Sequence, residues 1–241
     1  MMTQDSELAK RFLEIVKEVI SESGASPLTE DEEARCMTPC PNQAVGRIGN
    51  LSSQEIFERR YNVDQLSTDE KCVILVLESP HKYEYVKDES GRWIAKGPAR
   101  GCTGCRIRWY LHGILKNQIF STRDYAQWTL VLVNAVRFQC SLGRDISDDD
   151  GRLKNKILLR CLEESIFKDD FGNKIQDVMR DRECLVINAC TSVARDKVGK
   201  ILQRVIGGSE FVTIHGHPSS WMRKKTLKVE FGDKNFEAID L

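Results

Sequence analysis

VILVL (residues 73–77) is aliphatic at every position, with no polar residue alternating through it. A strand with one wet face alternates, so an unbroken run of this length predicts a strand covered on both faces, as in a parallel sheet between helices. LVLVNAV (130–136), CLVINA (184–189) and FVTIH (211–215) have the same character. Between them lie helical spacings near 106–116, 153–167 and 191–205, the last with Thr191 placed to cap it. The alternation predicts an α/β fold, a doubly wound three-layer α/β/α sandwich on a central, mainly parallel four-stranded sheet with right-handed crossovers. In such a sheet the site lies at the carboxyl ends of the strands.

Outward from these strands the signals weaken. Residues 6–22 carry Leu8, Phe12, Ile15, Val16 and Val19 on one helical stripe, with Asp5 or Ser6 able to cap it. The stretch 24–50, holding Cys36 and Cys40, reads as irregular, and a short helix is expected near 53–60. The tail, LKVEF-GDK-NFEAI, reads as a hairpin with a Gly-Asp turn. The expected organisation is one domain over 1–241: an N-terminal helical, cysteine-bearing extension (1–60), a core (71–225) and a C-terminal hairpin (226–241).

With 41% hydrophobic and 30% charged residues over 241, the chain can bury a core, which excludes disorder. No run approaches the roughly 18 apolar residues of a membrane span, and MMTQDSELAKR has no apolar signal-peptide core. A cytoplasmic monomer without a membrane partner is expected. Nine cysteines, an odd number, then suggest thiols or metal ligands rather than a disulfide framework. The balance of 36 basic against 36 acidic residues excludes a uniformly basic nucleic-acid binder but not a local basic face. Residues 92–108 contain Arg92, Lys96, Arg100, Arg106 and Arg108 and no acid; residues 211–228 are likewise acid-free.

Each strand end is chemically pointed. Glu78-Ser79-Pro80-His81 follows the first, Asn134 ends the second, and Gly216-His217-Pro218-Ser219 follows the fourth. A carboxylate, an amide and an imidazole would converge on one crevice. Gly97, Gly101 and Gly104, just before a helix, can present backbone N–H groups to an anion.

ESPHKYE (78–84), GPARGCTG (97–104), LVNAV (132–136) and HPSSW (217–221) resemble, in order and approximate spacing, the motifs of the uracil-DNA glycosylase superfamily. The resemblance spans about residues 73–223 and is nearest to the iron-sulfur branches, with their G-E-x-P-G and P-F-x-G-x-x-G motifs. Glu78 and Pro80 match the first motif, Leu77 and His81 stand where glycines are usual, and Glu84 matches an acidic position beyond it. Pro98, Gly101 and Gly104 match the second, while Ala99 replaces the aromatic that stacks on uracil. That replacement implies a roomier pocket; His81 argues the other way.

The resemblance implies catalytic roles for Glu78, orienting water and stabilising an oxocarbenium-like sugar, for His217, donating to the departing base, and for Asn134, reading its edge. Ser79, Pro80, His81, Ala99, Gly101 and Ser219 would shape the pocket. Arg100, Arg106, Arg223 and Lys224 would grip DNA, as a duplex with a flipped base or as a single strand, with Trp221 or Met222 wedged into the stack. Trp221 can equally be a core aromatic, and His215 reads as structural. Cys36, Cys40, Cys140 and Cys161 stand in order at the places of the iron-sulfur ligands, implying a [4Fe-4S] cluster, although the first pair is spaced C-x3-C. Cys102 and Cys105 compete as ligands, and zinc is an alternative. No lysine falls at a matched catalytic position, so a monofunctional DNA glycosylase that leaves an abasic site is expected. Its expected substrate is a modified, bulky cytosine-type base of phage DNA, in an anti-phage setting. The alternatives are uracil repair and a non-catalytic nucleic-acid binder on the same fold.

Overall fold

The structure is a computed structural model and describes residues 4–120, 123–143, 148–206, 211–224, 226–231 and 234–240. Along the chain run α1 (Gln4–Ser23), α2 (Glu30–Cys36), β1 (Gln43–Arg47), α3 (Gln54–Glu58), β2 (Tyr61–Asn62), β3 (Cys72–Leu77), β4 (Tyr85–Lys87) and β5 (Trp93–Ala95). There follow α4 (Cys102–Leu115), β6 (Thr129–Asn134), α5 (Asp148–Cys161), α6 (Ser165–Met179), β7 (Cys184–Asn188), α7 (Ser192–Ile206), β8 (Phe211–His215), β9 (Thr226–Phe231) and β10 (Lys234–Asp240).

The four aliphatic runs are adjacent and mutually parallel, in the order β8-β7-β3-β6. The expectation of a four-stranded sheet is corrected by their flanks. The sheet has eight strands, ordered β10-β9-β8-β7-β3-β6-β1-β2, and the added pairings are antiparallel. β1 (QAVGR) carries no aliphatic run to announce it, and it lies inside the stretch read as irregular. β4 and β5 form a separate hairpin.

Alternation along the buried strands explains the layers. Ile74, Val76, Val131, Val133 and Val186 pack with α1, α5, α6 and α7, whereas Val73, Leu75, Leu130, Leu132 and Ile187 pack on the opposite face with α4. Residues 4–60 are thus woven into the molecule: α1 shares a core with α5, and β1 pairs with β6.

Helix limits differ from expectation at the caps. α1 begins at Gln4, so Asp5 and Ser6 lie within it, and Asp5 instead meets Arg137 at 2.6 Å. α2 is set by a reciprocal capping box between Thr29 and Glu32. The helix expected over 153–167 is two, α5 and α6. β9 and β10 pair as a hairpin, with the proposed turn residues 232–233 outside the described residues.

Candidate active site

From β3 the chain moves to β6 on one side and then returns across to β7 on the other. At such a reversal the connections diverge and leave a crevice beyond the carboxyl ends. A cavity of about 430 Å³ lies there. Of the expected residues it is lined by Glu78, Ser79, Pro80, His81, Gly101, Asn134, His217 and Ser219. Leu77, Tyr83, Glu84, Cys102, Thr103, Ser141, Lys154 and Thr191 complete the lining.

Sheet register sets the spacing of the first two groups. Leu77 pairs with Asn134, and the Val136 N–H donates to the Glu78 carbonyl at 2.8 Å. The Glu78 carboxylate is buried and fully engaged on one oxygen: Oε1 accepts from the Thr191 N–H at 2.9 Å and from the Thr191 hydroxyl. Oε2 accepts from Lys154 Nζ at 2.9 Å. Burial pushes this carboxyl up, but Lys154 and the Thr191 bond outweigh it, so Glu78 is held below the usual carboxylate range. It is an anion at neutral pH.

His217 begins the short helix 218–223 and accepts the Ser219 N–H on Nδ1 at 3.3 Å. The ring proton therefore sits on Nε2, which makes Nε2 a donor. Burial lowers the His217 pKa to about 4, partly offset by Glu78, so the ring is neutral at physiological pH. His215, by contrast, is spent on structure, with Nδ1 against Arg195 at 3.2 Å and Nε2 against Glu230 at 3.0 Å.

Two residues that line this cavity, Ser79 and Ser141, carry buried hydroxyls with no hydrogen-bond partner among the described residues, whereas the Asn134 side chain bonds to the Cys40 thiol. Orphaned buried donors and acceptors cost about 1–3 kcal/mol each, a cost removed when a ligand supplies the partner. Burial raises the Glu84 carboxyl to about 7, although Oε1 accepts the Ala99 N–H at 2.7 Å. The site therefore combines a fixed anion, a neutral imidazole donor and an amide, which suits a polar, hydrogen-bonding ring beside a centre that becomes positive.

Ala99 does not line this cavity. It is buried in the core on the α4 face and adopts φ 55°, a left-handed backbone uncommon for a residue with a Cβ. Its N–H is held by Glu84 and its carbonyl by Arg60 at 3.1 Å. Gly104 makes this path possible, since a Cβ there would lie 1.9 Å from the Ala99 oxygen. Ala99 therefore does not enlarge this cavity; it lines the groove beside it. The aromatic at the cavity is Tyr83, 58% exposed and 5.0 Å from the His81 ring, and the sequence signal for it was the ring inside ESPHKYE.

Tyr83 and Gly101 also border a second groove of about 550 Å³ that contains Arg60, Lys82, Lys96, Arg100 and Arg108. Arg100 donates there to the Lys96 and Glu58 carbonyls. Arg106 lies on α4, half-buried, outside both linings. Trp221 is fully buried, with Nε1 donating to the Gly216 carbonyl at 2.9 Å, so it is a core residue and not a wedge. Met222 is 52% exposed, Arg223 is exposed beside it, and Lys224 Nζ donates to the His215 carbonyl at 2.8 Å.

All nine cysteines are free thiols. Cys36, Cys40, Cys140 and Cys161 are buried, and burial, followed by contact with Cys140, raises the Cys161 thiol. Burial also raises the Tyr85 phenol, and the charges of Cys40, Glu84, Cys36 and Cys140 around it add to this. The Tyr85 hydroxyl is itself unpartnered among the described residues. Three of the expected ligands thus share one neighbourhood and the fourth touches one of them. Yet among the described residues no three His, Cys, Asp or Glu side chains are arranged to hold a metal ion.

Fold and cavity define an α/β protein with a polar site at the carboxyl ends of its parallel strands. No helix among the described residues is long and apolar enough to cross a membrane. Compared with known protein families, with curated proteins and with solved structures, the chain matches none.

Proposed function

We propose that the chain is a DNA glycosylase of the uracil-DNA glycosylase superfamily that hydrolyses the N-glycosidic bond of a flipped pyrimidine. The observation that carries this reading is that Glu78, Asn134 and His217, from three strand ends, line one cavity. Glu78 faces the sugar as an anion and holds the attacking water on Oε2. His217 donates from Nε2 to the base oxygen as negative charge builds on the leaving group. Asn134 offers its side-chain amide to the base edge. Tyr83 supplies a face for stacking, and the exposed Met222 and Arg223, a few residues past His217, serve as wedge and phosphate contact.

The preferred substrate in this reading is a modified, bulky cytosine-type base, with anti-phage defence as the setting. What supports it is room: the cavity adjoins the second groove across Tyr83 and Gly101, where a substituent on the ring can extend. A [4Fe-4S] cluster on Cys36, Cys40, Cys140 and Cys161 is a separate proposal, supported by their burial; it calls for brown protein with visible absorbance from anaerobic purification, and colourless protein rejects it.

The deciding experiment is mass spectrometry of bases released from unmodified, uracil-containing and modified-cytosine DNA. Release of a modified cytosine is expected. Release of uracil alone supports the repair reading instead, and DNA binding without any release rejects the enzyme.

A further inference from the structure

Lys154 is the one lysine among the described residues that lines the cavity. It arrives from α5, a segment outside every glycosylase-like motif, and its Nζ lies 2.9 Å from Glu78 Oε2. A lysine placed there only to hold Glu78 works against base release, because its charge opposes the positive charge that develops on the sugar. The same amine is well placed to act once the base has gone. An abasic sugar opens to an aldehyde, and a lysine amine is a common nucleophile toward a carbonyl.

We propose that the protein has a second activity, an abasic-site lyase that cuts the DNA backbone through a Schiff base on Lys154. This goes beyond the base-release reading and replaces the expectation of a monofunctional enzyme. The Lys154 ammonium loses one proton to solvent, and the freed lone pair on Nζ attacks C1′ of the open-chain sugar. The C1′–oxygen bond breaks, and the oxygen leaves as water, so that two of the three ammonium protons are balanced by the two protons of that water, exchanged through solvent. The third proton stays on the iminium nitrogen. Glu78 then removes a proton from C2′; that electron pair becomes the C2′–C3′ double bond as the C3′–oxygen bond breaks and the phosphate departs with its electrons. Hydrolysis of the iminium returns the amine, and no oxidant or reductant is consumed.

The test supplies the abasic site ready-made, so it reads out whether or not the protein releases any base. The purified full chain is incubated with an oligonucleotide holding one abasic site, with and without sodium borohydride. Expected are a borohydride-dependent covalent adduct, mapped by peptide mass spectrometry to Lys154, and strand cleavage above the spontaneous rate without borohydride. Lys154→Arg should lose both, with melting by circular dichroism as the control for folding. Absence of adduct and cleavage with the wild-type chain overturns the proposal, as does an adduct mapped to another amine. Should Lys154→Arg fail to fold, the mapped wild-type adduct decides alone. Base release without trapping would sink the lyase and leave the glycosylase standing.

Discussion

The Thr191 N–H donates to Glu78 Oε1 at 2.9 Å, so the residue that opens α7 fixes the carboxylate that ends β3. The Thr191 hydroxyl is turned to the same oxygen, while its carbonyl accepts the Arg195 N–H of the first helical turn. A residue expected as a cap thus serves the site, and Glu78 is held by β7's connection as well as by its own strand. With Oε1 doubly occupied and Oε2 bonded to Lys154, the second lone pair of Oε2 is what remains for water.

Glu78→Gln keeps the shape and the Thr191 contact but removes the charge. Base release should fall by about 10²–10⁴-fold, the range for loss of a positioned acid-base group, with far-UV circular dichroism unchanged. Near wild-type turnover would remove Glu78 from the chemistry.

His217 titrates at about 4, below its ordinary 6.5, because burial disfavours its cation. Activity should therefore not decline as pH falls through 6.5, and its acid limb should appear near 4. A limb near 6.5 would show that the ring is solvated in the working enzyme. The sign for stability comes from the same shift. The contribution is present above 6.5 and is lost as pH falls toward 4, where the unfolded chain takes up the proton first.

Glu84 carries the opposite sign. Its folded pKa of about 7 exceeds the ordinary 4.5, so its contribution to stability is full below 4.5 and disappears as pH rises through 7. The difference amounts to about 3 kcal/mol at the upper bound. Urea denaturation of wild type and Glu84→Gln from pH 4 to 8 isolates it: the variant should lack the decline. Parallel curves would place Glu84 in water.

Trp221 and Met222 are neighbours with opposite fates. Trp221→Ala empties a buried site and should cost about 3–5 kcal/mol of stability. Met222→Ala should stay within about 0.5 kcal/mol, yet reduce base release from duplex more than from single-stranded DNA, since only the duplex needs its stack opened. Equal effects on both substrates would argue against a wedge.

The centre of the fold was legible because four buried strands must be aliphatic on both faces, and the residues just past them were readable because a strand end fixes where its next side chain goes. Glu78, Asn134 and His217 fell into this class. β1 was not, since Gln43, Gly46 and Arg47 carry no hydrophobic period. Lys154 was hidden for a different reason: it reaches the cavity from the side of a helix, a relation that exists only after α5 has packed against α1. Ala99 was legible only in part: its motif position suggested the main cavity, whereas its left-handed backbone seats it in the core at the wall of the adjoining groove.

β1 runs antiparallel along β6 and covers what would otherwise be the open hydrogen-bonding margin of the parallel core. Removing residues 1–60 would bare that margin along Thr129–Asn134, a run of aliphatic backbone able to recruit a second chain by strand addition. The segment that looks most dispensable in the sequence thus closes this margin, and chains lacking β1 should aggregate more readily than the full chain in light scattering.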